Sequence, residues 1–127
     1  IWEAAMFASK HQLGQLIGIV DRNNIQISGT TEQVMPLESL RGKWEGFGWH
    51  VQEVDGHNVE SIVEACSMAR AITNRPSVII AHTVPGKGVD FMEYDYQWHG
   101  KAPNKEEAAR ALEQLQSFHG YTEPSHV

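Results

Sequence analysis

The chain has 127 residues, a formal net charge of −6, 20% charged and 41% hydrophobic residues, the balance of one ordinary globular domain. An acidic total without any basic stripe excludes a nucleic-acid surface, and no apolar run reaches membrane-spanning length. Cys66 is the only cysteine, so there is no internal disulfide and no cysteine zinc site, which points to a reducing, cytoplasmic setting.

Ile1-Trp2-Glu3-Ala4-Ala5-Met6 opens the chain as a helix without a cap or an initiator methionine, and reads as part of a longer polypeptide. Residues 2–12 are Ala-rich and predict a helix ending near Gln12-Leu13-Gly14, with Lys10 and His11 in its last turn at the negative end of the helix dipole. The apolar run Leu16-Ile17-Gly18-Ile19-Val20 predicts a buried parallel strand over 16–20. Asp21-Arg22-Asn23-Asn24-Ile25-Gln26-Ile27-Ser28-Gly29 then reads as a loop that continues to Gln33.

Pro36 suits a helix start, with Leu37, Leu40, Trp44 and Phe47 on its apolar face and Gly46 and Gly48 at its end. A second strand is expected over 49–54, with Asp55-Gly56-His57-Asn58 as the turn after it. Asn58 caps the next helix, whose apolar face is Val59, Ile62, Val63, Cys66, Ala69 and Ile72 and which must stop before Pro76. Ser77 to Thr83 is a third strand, as apolar as the first.

Val84 to Lys101 is a long irregular segment, and loops of that length in compact domains usually carry function. Asn104 and Glu107 form a capping-box arrangement ahead of a last helix with Ala108, Leu112 and Leu115 as its stripe. The expected fold is α/β, a parallel sheet with helices on both faces. Residues 1–118 are the globular part and 119–127 a tail or linker.

Ligands in such sheets bind outside the carboxyl ends of the strands, which would gather Asp21–Gly29, Asp55–Asn58 and Thr83–Gly100 at one edge. Asn23 could offer a side-chain oxygen and Ile25 a backbone carbonyl to a hard cation such as Mg²⁺, although Asn-Asn after a strand is ordinarily a turn. Gly86 and Gly88 could let backbone approach a phosphate, but Gly-Lys-Gly is not a nucleotide fingerprint. His99, between Trp98 and Gly100 and close to Lys101, could donate to a phosphate or shuttle a proton; the plain alternative is a loop histidine bonded to backbone. His57 reads as a turn residue, and His50 and His82 as ordinary, satisfied strand histidines.

Four separated stretches together resemble the transketolase family. Asp21 to Gly29 looks like the second half of its thiamine diphosphate signature. Phe47-Gly48-Trp49-His50-Val51 with Val54-Asp55-Gly56-His57-Asn58, Thr83-Val84-Pro85-Gly86-Lys87-Gly88-Val89, and Trp98-His99-Gly100-Lys101-Ala102-Pro103 are similar in the same order. The likeness runs over residues 1–116 and is strongest to split transketolases, whose N-terminal half is a separate subunit.

The resemblance implies a partial thiamine-diphosphate-binding domain in an enzyme that transfers a two-carbon ketol unit between sugar phosphates, with the cofactor as electron sink. Asn23 and Ile25 would be the Mg²⁺ ligands and cofactor contacts. His99 would be the catalytic residue touching the cofactor diphosphate and the sugar substrate. The implied partner is the pyrimidine-binding half of the enzyme, within an oligomer. Two departures stand out: the Gly-Asp-Gly motif of the family is not in this sequence, and Pro85 stands where many relatives have a cofactor-contacting lysine. The alternatives are a dihydroxyacetone synthase or deoxyxylulose phosphate synthase, or a non-catalytic remnant that keeps the fold.

Overall fold

A computed structural model describes residues 1–118; the expected tail over 119–127 lies outside the described residues. They fall into two compact units, one made of residues 1–23 and 35–83, the other of residues 24–34 and the chain from Val84 on.

The first unit is built on a three-stranded parallel sheet of β1 (Ile17–Arg22), β4 (His50–Asp55) and β5 (Ser77–His82). Its order is β1-β5-β4, with Val20 and Val54 in register with Ile80 and Ala81 of the middle strand. The sequence of β5 explains its place: Val78, Ile79 and Ile80 are fully buried, which only a strand covered on both faces permits. Burying each of those side chains is worth about 1.5–3 kcal/mol.

On one face pack α1 (Trp2–Lys10) and α3 (Leu40–Gly46). Ala5, Ala8, Leu40, Trp44 and Trp49 form a core there with Val51, Val78 and Ile80. Trp44 and Trp49 meet edge-on with ring centres 4.8 Å apart, and the Trp49 indole N–H donates to the Ala5 carbonyl at 3.0 Å. On the other face lies α4 (Val59–Ala71), with the Gln52 amide donating to the Ala65 carbonyl at 2.9 Å. Helices therefore cover both faces of a parallel sheet, as expected.

Several local expectations are corrected. β1 runs two residues further than expected, taking Asp21 and Arg22 into the strand, because β5 offers them ladder partners in Ala81 and His82. Pro36 does not start a helix. Ser39 caps α3 instead, its hydroxyl accepting from the Gly42 N–H at 3.1 Å, a bond that a proline cannot supply. α4 packs through Ala65 and Ala69, and Val59 and Val63 stay exposed; small residues let a helix sit close to the sheet, so the wider stripe is not all used. Gly14 does more than stop a helix: a Cβ there would overlap the Thr73 backbone, a close approach open to glycine alone.

The second unit contains a small antiparallel hairpin, β2 (Ile25–Gln26) with β3 (Gly29–Thr30), the single-turn α2 (Thr31–Val34), a 3₁₀ turn (Tyr96–His99) and α5 (Lys105–Phe118). The hairpin and α2 occupy a stretch expected to be loop. The capping box holds: Asn104 Oδ1 accepts from the Glu107 N–H at 2.9 Å and Glu107 Oε2 from the Asn104 N–H at 2.8 Å. On α5 Ala108 and Leu115 are half-buried as expected and Ala111 is buried between them, while Leu112 is 61% exposed.

Candidate functional site

In the first unit, the parallel pairing puts Asp21, Asp55 and Thr83 at the same end of the sheet. The Thr83 hydroxyl donates to the Asp21 carboxylate. The turn after β4 is fixed by Asp55 Oδ1, which accepts from the His57 N–H at 2.9 Å, and by Asn58, whose side chain accepts from the Ser61 N–H at 3.1 Å and caps α4. His57 is therefore placed as a turn residue.

Arg22, 4% exposed at the end of β1, donates to Glu38 at 2.9 Å. That bond and the Leu40 N–H hold the Glu38 carboxyl below the usual glutamate range. Near the same strand ends Glu53 accepts from Arg41 at 2.6 Å and lies 2.7 Å from His82 Nε2. The hydrogen bonds from His82 and then Arg41 hold its carboxyl down. His82 is thus satisfied, as expected. His50 is not: its Nε2 is buried without a hydrogen-bond partner among the described residues. Asn23 follows β1 directly and is half-buried.

In the second unit, Ile25 and His99 line one cavity of about 240 Å³, together with Pro85, Gly86, Met92, Trp98 and Lys101. The hairpin positions Ile25, which is buried at 7% exposure. Asn24 ahead of it adopts a φ of 63°, a left-handed conformation asparagine tolerates well, and its carbonyl accepts from the Thr31 N–H at 2.9 Å. His99 is exposed and ends the 3₁₀ turn, which Asp95 caps by accepting from the Gln97 N–H at 2.9 Å.

The Gly86-Lys87-Gly88 turn uses the freedom of glycine at both ends, with φ of 73° and 89°. Its N–H groups are largely committed inside the loop: Lys87 donates to the Val84 carbonyl at 3.2 Å and Gly88 to Glu93 at 2.9 Å. The suggested backbone cradle for a phosphate is weaker for it. The cavity mixes apolar walls (Ile25, Pro85, Met92, Trp98) with the imidazole of His99, the ammonium of Lys101 and the carboxylate of Asp95, which is already engaged by the Gln97 N–H. That donor set suits a ligand with an anionic end and a hydrocarbon body.

The thiamine diphosphate binding domain of transketolase matches residues 1–125 of this chain. The chain belongs to the transketolase family. It is 42% identical over 115 residues to one subunit of the apulose-4-phosphate transketolase of Phocaeicola vulgatus, a match covering 91% of this chain and 41% of that protein. To the 6-deoxy-6-sulfo-D-fructose transketolase subunit SqwG of Clostridium sp. it is 43% identical over 116 residues, 91% of this chain and 42% of that one. The chain thus spans about two fifths of the length of these relatives, both of which are named as subunits.

Solved transketolases share the fold. That of Campylobacter jejuni superposes with a TM-score of 0.82 at 33% identity, over 89% of this chain and 18% of its own. A Pichia stipitis transketolase in complex with sedoheptulose 7-phosphate gives 0.81 at 33% identity, over 94% and 17%.

Thiamine diphosphate binding is the property of the matched domain. Among the described residues no group of three or more His, Cys, Asp or Glu is placed to hold an ion, and Asn23 and Ile25 present neutral oxygens. Sequence reasoning missed Met92 and the part taken by Lys101 in the cavity wall. The i, i+3 spacing of Trp98 and Lys101 across a glycine was the available signal, readable only once the intervening turn is known.

Proposed function

We propose that this chain supplies part of the Mg²⁺ and thiamine diphosphate site of an enzyme that transfers a two-carbon ketol unit between sugar phosphates. The cavity shared by His99 and Ile25, in a chain of the transketolase family, carries this reading. Bound thiamine diphosphate would supply the electron sink that makes cleavage next to a ketose carbonyl feasible. Asn23, through its side-chain oxygen, and Ile25, through its carbonyl, would be neutral ligands of Mg²⁺, with further charge coming from the diphosphate. His99 would donate a hydrogen bond to the diphosphate and to the sugar, and bonds of that kind to phosphate are the stronger sort. The pyrimidine-binding half, in the same oligomer, would complete the site.

The deciding experiment is His99→Ala in the complete protein. Loss of one positioned donor should remove about 2–4 kcal/mol of transition-state stabilisation, read as kcat/KM, and weaken thiamine diphosphate in a calorimetric titration. Folding should be unchanged, because His99 is exposed. A variant that melts early yet keeps its specific activity would make His99 a structural loop residue. Asn23→Ala should weaken cofactor binding only when Mg²⁺ is present. The presence of Pro85 in the cavity wall favours the non-catalytic alternative, which gains ground if wild-type protein binds the cofactor but turns over no sugar phosphate.

A further inference from the structure

Lys101 lines two cavities of the second unit: the one that holds His99, and a larger one of about 570 Å³ beside α5 with Phe91, Trp98, Glu107 and Arg110 in its wall. Its ammonium lies 3.9 Å from the centre of the Trp98 ring and donates to Glu107 at 2.9 Å. Both neighbours are themselves fixed. Glu107 belongs to the capping box of α5, and the Trp98 ring meets Phe91 edge-on at 5.5 Å.

An ammonium has three N–H donors, and Glu107 engages one of them. The ion pair is half in solvent, with Lys101 49% exposed, and such pairs hold weakly. The tryptophan face keeps the charge at the cavity wall without consuming a donor. Across the cavity Ile25, Pro85 and Met92 offer no side-chain donor. Asp95 is the acid in the wall, and its carboxylate already accepts from Gln97. Among the side chains lining the cavity, positive charge therefore comes from Lys101, and from His99 when protonated.

We propose that Lys101 is the phosphate-binding cation of the His99 cavity. This rests on the reading of that cavity given under Proposed function, and names the group that meets the anionic end of the ligand. The phosphate can belong to the cofactor or to the sugar; the chemistry at Lys101 is the same.

The test uses the complete protein and three probes titrated by calorimetry: inorganic pyrophosphate, thiamine diphosphate and ribose 5-phosphate. Lys101→Gln, which keeps much of the stem, should weaken binding about tenfold, and Lys101→Arg should restore most of it. Loss confined to pyrophosphate and thiamine diphosphate places the cofactor there; loss confined to ribose 5-phosphate places the sugar there. Wild-type affinity for all three probes in Lys101→Gln, or equal loss in the Gln and Arg variants at unchanged thermal stability, overturns the proposal. If His99→Ala weakens these probes while Lys101→Gln does not, the cavity reading survives and the role of Lys101 falls. If neither variant weakens any probe, both fall together.

Discussion

In the first unit Val78, Ile79 and Ile80 are sealed between helices on both faces of a sheet. In the second unit the segment from Val84 to Lys101 holds one 3₁₀ turn as its regular structure. Its order comes from directed contacts: Gly88 on Glu93, Asp90 on Gln114 and Arg110, Arg110 over the Phe91 ring at 4.5 Å, Lys101 over Trp98. Apolar burial is non-directional and large. Single hydrogen bonds and exposed ion pairs are small but fix orientation. The first unit therefore carries most of the stability, and the second carries the polar groups whose placement a ligand can read.

The largest test of that contrast is Ile79→Ala. A fully buried isoleucine in the central strand loses its transfer energy and leaves a cavity, about 2–5 kcal/mol together. Urea unfolding of the complete protein should show a midpoint shift of that size. A loss below about 1 kcal/mol would mean the strand is not the centre of the fold.

Gly86→Ala should come next. Its φ is 73°, and an added Cβ would lie 2.8 Å from the Met92 backbone, so the cost is on the order of 1–3 kcal/mol. Met92 lines the His99 cavity, and the strain should appear as weakened thiamine diphosphate binding as well as a lowered melting point. Gly46→Ala is the counterpart in the first unit. It meets nothing within 4 Å at the end of α3, and should be neutral or stabilising by up to about 1 kcal/mol. Similar losses in both variants would erase the distinction between strained and merely flexible glycines.

Asn104→Ala removes a cap that serves the N–H groups of both Glu106 and Glu107, at a cost of about 1 kcal/mol. Hydrogen exchange should rise in the first turn of α5 and stay unchanged in β5. Faster exchange in both places would show that the helix start matters to the whole chain rather than to its own unit.

The same contrast explains what could be read from the sequence. Apolar runs and their spacing indicated the three parallel strands and four of the helices, because burial follows composition over many residues. Caps at Asn58 and Asn104 were legible too, since each is satisfied within three residues. What escaped depended on distant partners. β1 extends through Asp21 and Arg22 only because Ala81 and His82 pair with them, and Glu53 finds Arg41 and His82 across strand and helix. Ile25 and His99 stand 74 positions apart, yet line one cavity. No local pattern encodes such a meeting; the family resemblance supplied it.

The smallest effect is acid sensitivity, and it can be assigned to either unit. Glu53 is held below the ordinary glutamate value of 4.5 by hydrogen bonds from His82 and Arg41, and Glu107 below the same value by Lys101 and then the Asn104 N–H. A carboxylate with a lowered folded-state pKa binds its proton more readily in the unfolded chain. Its stabilisation is therefore complete above about pH 4.5 and is lost as pH falls through the lower folded value. Glu53 is partly exposed, which limits its share to less than about 1 kcal/mol. Glu53→Gln should flatten the acid limb of global unfolding below about pH 4.5 and leave stability at neutral pH lower by that share. Glu107→Gln should leave the global acid limb nearly unchanged and raise exchange at the start of α5 instead. If Glu107→Gln flattens the global limb as much as Glu53→Gln does, the second unit carries as much of the fold as the first, and the contrast between them is wrong.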